Sequence, residues 1–269
     1  YLTADEQEVT VEYNETAEVA FENIEKTGEI KVTKTTVGNI NVSGITFNLR
    51  GTSDSGRDID IPAVTDENGV AIFSEIPIGT YTIYEDEKTV PTAYLVADPQ
   101  NVTVTYAETK EVPIENKEKT GSITVHKTTE GQKNIEGIKF YLRGTSDSGR
   151  AIDIPATTDK DGIAKFDGVP IGTYMVIEDE ETVPYGYLVA DEKEVKVEYA
   201  QTIDETILNN EQTGTVKVHK KTADMTNVEG IRFILSGISD TGREIRIEAT
   251  TDKDGLAKFE GVPVGTYTI

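Results

Sequence analysis

Apolar and polar residues alternate along this chain in short runs. Examples are Glu29-Ile-Lys-Val-Thr, Ile45-Thr-Phe-Asn-Leu, Val70-Ala-Ile-Phe, Thr80-Tyr-Thr-Ile-Tyr and Asn101-Val-Thr-Val-Thr-Tyr. A period of two marks a half-buried β-strand, because successive side chains point to opposite faces. Turn chemistry punctuates the runs at Asp54-Ser-Gly, Glu67-Asn-Gly and Ile78-Gly-Thr. No stretch combines a helical period with caps. About seven short strands in each ~90 residues predict an all-β sandwich.

The pattern repeats. Lys26-Thr-Gly-Glu-Ile returns as Lys119-Thr-Gly-Ser-Ile and as Gln212-Thr-Gly-Thr-Val, a step of 93 residues each time. Gly56, Gly149 and Gly242 keep that step, as do Phe73, Phe166 and Phe259, and Tyr81, Tyr174 and Tyr267. Residues 26–118 and 119–211 read as two whole repeats. Tyr1-Leu-Thr-Ala-Asp aligns with the segments starting at Tyr94 and Tyr187, so 1–25 reads as the tail of a repeat and 212–269 as the head of another. The chain falls ten residues short of three periods, and those ten align with Tyr84–Ala93, which include Glu85. Together with an opening on Tyr rather than Met and the lack of a signal peptide, this reads as a fragment or processed product. A window on a longer tandem array is the preferred explanation. The other is completion of one copy's head by the next copy's tail, with Asn23 approaching Lys220 of the neighbour and no glutamate to assist.

Composition narrows the function. The 49 acidic residues against 26 basic ones give a net charge of −23, which disfavours phosphate backbones and anionic lipid. No apolar run reaches the ~20 residues a membrane span needs. There are no cysteines and only two histidines, His126 and His219, which removes disulfides, thiolate metal sites and a Cys nucleophile. No cofactor and no metal are expected. A repeat of this size buries a modest core and often needs a covalent staple, which here cannot be a disulfide.

Three polar residues continue apolar rows. Ile30, Val32 and Lys34 share a strand face, as do Ile123, Val125 and Lys127, and Val216, Val218 and Lys220. The last strand carries asparagine in the same way: Val19, Phe21 and Asn23, then Val112, Ile114 and Asn116, then Ile207 and Asn209, where Glu205 interrupts the row. A third strand carries an acid: Tyr81, Ile83 and Glu85, then Tyr174, Val176 and Glu178. These residues could simply end a row outside the core, or satisfy one another by hydrogen bonds. They could also react. Burial disfavours charge, lowering a lysine pKa and raising a glutamate pKa. A neutral amine attacks the asparagine side-chain carbon, the glutamate carries the protons, and ammonia leaves behind an isopeptide bond between first and last strands. The expected pairs are Lys34–Asn116 with Glu85 and Lys127–Asn209 with Glu178. Asn23 and Lys220 have no such partners in the chain.

At these residues the repeat resembles the Cna-B-type (SpaA-like, collagen-adhesin B-region) domains of Gram-positive surface proteins and pilins. The resemblance rests on Gly28-Glu-Ile-Lys-Val-Thr-Lys, Val42-Ser-Gly-Ile-Thr-Phe, Thr65-Asp-Glu-Asn-Gly-Val-Ala-Ile-Phe, Ile76-Pro-Ile-Gly-Thr-Tyr-Thr-Ile-Tyr-Glu and Val112-Pro-Ile-Glu-Asn. The second repeat keeps it through Lys127, Gly172-Thr-Tyr, Glu178, Pro184-Tyr-Gly-Tyr and Asn209; the first has Pro91-Thr-Ala-Tyr instead. It implies tandem inverse Ig-like (prealbumin-like) β-sandwiches with Glu-assisted Lys–Asn isopeptide bonds. It also implies a stalk or spacer in a cell wall-anchored extracellular adhesin or pilus-like fibre, whose partners are neighbouring repeats or filament subunits.

The alternative expectation is an adhesive module for a host or partner protein; an enzyme acting on an external substrate ranks last. Asp66-Glu-Asn-Gly, Asp159-Lys-Asp-Gly and Asp252-Lys-Asp-Gly read as hairpin turns rather than calcium loops. The Arg50–Arg57 loop and its copy at 143–150 read as solvated hairpin connections. His126 and His219 precede the lysines and face the other way. Glu85-Asp-Glu reads as an acidic loop rather than a glycosidase pair, since the chain has no Trp platform.

Overall fold

The computed structural model describes residues 1–133, 135–223 and 226–269. They form two compact units, Tyr1–Lys119 and Thr120–Ile269. Among the described residues there is no α-helix, only strands and two short 3-10 turns.

The first unit contains β1 (Thr27–Thr36), β2 (Thr46–Ser53), β3 (Asp58–Val64), β4 (Val70–Pro77), β5 (Gly79–Glu85), β6 (Gln100–Val104) and β7 (Thr109–Asn116). They make two sheets, β4-β1-β7 and β3-β2-β5-β6. The second unit opens with the same plan: β8 (Thr120–Thr129), β9 (Lys139–Ser146), β10 (Ala151–Thr157), β11 (Ile163–Pro170), β12 (Gly172–Glu178), β13 (Lys193–Val197) and β14 (Thr202–Asn209), in sheets β11-β8-β14 and β10-β9-β12-β13. It continues with β15 (Thr213–His219), β16 (Arg232–Ser239), β17 (Glu244–Thr250), β18 (Leu256–Pro263) and β19 (Gly265–Thr268), in sheets β15-β18 and β17-β16-β19.

Alternation builds the cores. In β8 every second residue is buried, so Ile123 and Val125 face Phe140, Leu142, Tyr174 and Val176 of the opposite sheet. The tyrosine hydroxyls are satisfied within the core, Tyr81 donating to Pro77 O and Tyr174 to Pro170 O, both at 2.7 Å. In the final sandwich Val216 and Val218 are only half-buried, because among the described residues β18 alone pairs with β15.

Three features depart from the sequence expectation. The segment Asp58–Val64, absent from the alternating runs above, is a strand; it lies at a sheet edge, the place that tolerates Pro62. The Asp66 turn carries the chain from β3 in one sheet to β4 in the other rather than joining paired strands; the Asp66 carboxylate accepts the Asn68 and Val70 N–H groups, both at 2.9 Å. Residues 1–25 form no strand, and Val19 and Phe21 are exposed, because they pair with no neighbouring strand.

The recurring Lys/Gln-Thr-Gly has a packing reason. The turn between the last two strands folds against Gly28 and Gly121, and an alanine Cβ at 121 would sit 2.5 Å from Glu198 O and 2.8 Å from Gln201 O. At Gly214 nothing lies within 4 Å. Gly121→Ala is therefore expected to destabilise its sandwich by about 1–3 kcal/mol, and Gly214→Ala to leave the last one nearly unchanged. Equal effects in urea unfolding would contradict this packing account.

Candidate functional site

The sequence-predicted residues meet at one end of each complete sandwich. In the second unit β8 and β14 run parallel and adjacent, with Lys127 opposite Ile207 and Thr129 opposite Asn209. Lys127 and Asn209 are thus one pleat apart on the same inward row. Glu178, the last residue of β12, arrives from the facing sheet, opposite Phe140. All three are buried. In the first unit β1 and β7 repeat the pairing, with Lys34 opposite Ile114 and Thr36 opposite Asn116. Lys34 and Asn116 are buried there too, while Glu85 is half-buried.

The contacts are best seen around Lys127. Its Nζ donates to Thr128 O at 2.6 Å and Ile207 O at 3.1 Å, and lies 3.7 Å from Glu178 Oε1. Glu178 Oε2 accepts the Asn209 Nδ2 amide and the Ala190 N–H, both at 2.8 Å. Glu178 Oε1 and Asn209 Oδ1 are buried without a hydrogen-bond partner. The first unit has the same orphans, Glu85 Oε1 and Asn116 Oδ1, with Glu85 Oε2 held by the Ala97 N–H at 2.8 Å and Lys34 Nζ donating to Thr35 O at 2.6 Å.

Electrostatics follow from burial. Desolvation pushes the Lys127 amine down from its ordinary 10.5 to about 8, and the Glu178 charge opposes that shift. Desolvation also lowers Lys34, opposed by Glu85 and Glu115. Such an arrangement brings a weakened ammonium, a carboxyl and a carboxamide together in a dry pocket.

Sequence reasoning missed the role of Tyr-Leu-x-Ala-Asp. This segment places the Ala97 or Ala190 N–H on the glutamate, and its threefold recurrence was the available signal. Glu205, which breaks the apolar row of β14, is paired with Lys193 of β13 at 3.0 Å. The other two candidates lie elsewhere. Asn23 is exposed outside any strand, and Lys220, just beyond β15, is half-buried with its N–H on Gly255 O at 2.8 Å. His126 is half-exposed on the outer face, 3.0 Å from Asp204. Among the described residues no cluster is arranged to hold a metal ion, and no helix is long and apolar enough to cross a membrane.

The SpaA prealbumin-like fold domain matches residues 28–118, 121–212 and 214–269. The chain belongs to this family. One solved structure shares the fold of this SpaA-family chain. The TIE protein of Bacillus anthracis is 22% identical with a TM-score of 0.63, covering 90% of this chain and 44% of its own. The chain thus spans less than half the length of that relative. The GBS52 minor pilin of Streptococcus agalactiae (18% identity, TM-score 0.34, 72% of this chain and 100% of its own) and the shaft pilin SpaA of Lactobacillus rhamnosus GG (18%, 0.31, 69% and 98%) are more distant. No curated protein matches the chain.

The lowered lysine pKa has a measurable sign. In an Asn209→Ala chain, Lys127 and Glu178 stay buried but the amide is gone. The folded lysine then holds its proton less tightly than the unfolded one. The unfolded state binds more protons between about pH 8 and 10.5, so stability rises with pH across that window. Urea midpoints are expected to climb there relative to a Lys127→Met/Asn209→Ala chain; parallel curves would contradict the burial account.

Proposed function

We propose that this chain is part of a surface stalk whose whole repeats are each locked by a self-made isopeptide bond, Lys34 to Asn116 and Lys127 to Asn209. The observation that carries the reading is the Lys–Glu–Asn set at one end of each whole sandwich, with lysine and asparagine buried on the adjacent first and last strands and with orphaned carboxyl and carboxamide oxygens.

Glu178 takes a proton from the Lys127 ammonium, which the low-dielectric pocket already weakens. The neutral amine attacks Asn209 Cγ, and the Glu178 proton polarises the carbonyl. The amine nitrogen loses a proton, the departing NH2 gains one, and ammonia leaves. Glu85 serves Lys34 and Asn116 in the same way. Fixed proximity on adjacent parallel strands supplies much of the barrier reduction. Each bond forms once, so the chemistry is self-processing without turnover.

Tandem repeats tied between their terminal strands suit a protein that carries tension between a cell and a distant contact. The setting proposed is the exterior of a Gram-positive bacterium, in a surface adhesin or pilus-like fibre whose partners are further repeats or subunits. Intact mass tests the chemistry. Each bond is expected to lower the mass by about 17 Da, and Glu178→Ala to restore one of the two losses. A purified chain at its full unreacted mass, or a Glu178→Ala chain that still shows both losses, would overturn the proposal.

A further inference from the structure

The connection between the second and third strands of a repeat, read from sequence at 50–57 as a solvated hairpin, is occupied there and at its counterpart between β16 and β17. In Thr120–Ile269 the second sandwich ends at Glu211 and β15 begins two residues later. The Glu211 side chain is 0% exposed. Thr241 Oγ1 donates to its Oε1, and the Arg243 guanidinium to its Oε2; both donors sit in the hairpin between β16 and β17. Arg243 also lies 3.7 Å from Glu130 Oε1, whose other oxygen accepts the Glu211 N–H at 3.2 Å. Lys133 Nζ donates to Gly242 O at 2.5 Å. The next residue is pinned from both sides, Gln212 N donating to Gly186 O at 2.7 Å and Gln212 O accepting from Val264 N at 2.9 Å.

The set recurs. In Tyr1–Lys119 the Glu25 carboxylate accepts from Ser55 Oγ and from Arg57 Nη1, the latter at 2.8 Å, and the Ser55 bond leads in holding its pKa below the usual range. In sequence, Glu118, Ser148 and Arg150 stand at the same step of 93.

An exposed ion pair contributes little to holding two bodies together. Glu211 differs because its carboxylate is removed from water, where charge-assisted bonds are strong and little screened by salt. Two charge-assisted bonds from one hairpin, each to a different carboxylate oxygen, also fix a direction. We propose that this glutamate–hydroxyl–arginine set is a latch between consecutive repeats. The last glutamate of one repeat docks into the hairpin between the second and third strands of the next repeat and holds the two at a fixed angle.

The inference builds on the stalk reading, to which it adds stiffness, but it does not need the isopeptide bonds. The chain has no cysteine, so two spin labels can be placed cleanly, at Lys160→Cys and Lys253→Cys in the exposed β10–β11 and β17–β18 turns. Pulsed electron paramagnetic resonance on the full chain should give a narrow distance distribution. Glu211→Gln, which leaves the third sandwich's own sequence intact, and Arg243→Gln should each broaden it at least twofold. The double variant should be no broader than the worse single, because both act through one contact. Unchanged widths in the single variants, or additive broadening in the double, would overturn the latch. Intact mass on the same samples reports the crosslinks, so the two proposals fail separately.

Discussion

A lysine on the inward row of a strand must be neutralised, paired or consumed. Lys127 sits in that position, in line with Ile123 and Val125 and 0% exposed at its side chain. Its surroundings follow from this constraint. Glu178 ends its strand at the point where it can face the amine, and Ala190 turns its N–H to hold the carboxylate. Asn209 ends the last strand one pleat away. A core of this size can ill bear so many buried polar atoms without return. The proposed joining of the lysine amine to the asparagine carboxamide in one amide, with the glutamate left to hydrogen-bond it, would offer that return. By the chain-entropy argument used for disulfides, a bond closing a loop of about 80 residues contributes about 4–5 kcal/mol. That rivals the whole stability of a typical small domain.

The third sandwich supplies an internal comparison. Lys220 occupies the aligned position, but among the described residues β15 pairs with β18 alone. The lysine is half-buried rather than sealed, and Val216 and Val218 lose the full burial their counterparts enjoy. The same alternating pattern therefore makes a sealed lysine where a parallel last strand covers it. Burial at this position belongs to the strand pair and not to the lysine-bearing strand alone.

Alternation with period two, repeated every 93 residues, made the strands and the inward rows legible before any coordinates. Lysine, glutamate and asparagine stood out because each extends an apolar row, which is a local signal. What escaped depends on tertiary neighbours. Asp58–Val64 hides its strand behind acidic residues and Pro62, all tolerable at an edge. Glu205 looked like a fault in a row until Lys193 of the facing sheet was seen beside it. Glu211 is one acidic residue among 49, and nothing in its own neighbourhood marks it as buried. Only the joint recurrence of glutamate, hydroxyl and arginine at the repeat step could have pointed to the junction.

The central claim is that tension enters a whole repeat on its first strand and leaves on its last without passing through the domain. Pulling the single chain by its two ends tests this directly. A whole sandwich without its tie would release a loop of about 80 residues, a lengthening of about 280 Å at ~3.5 Å per residue. The account predicts no step of that size from either of the first two repeats at forces that open the last sandwich. Two such steps per chain would contradict it.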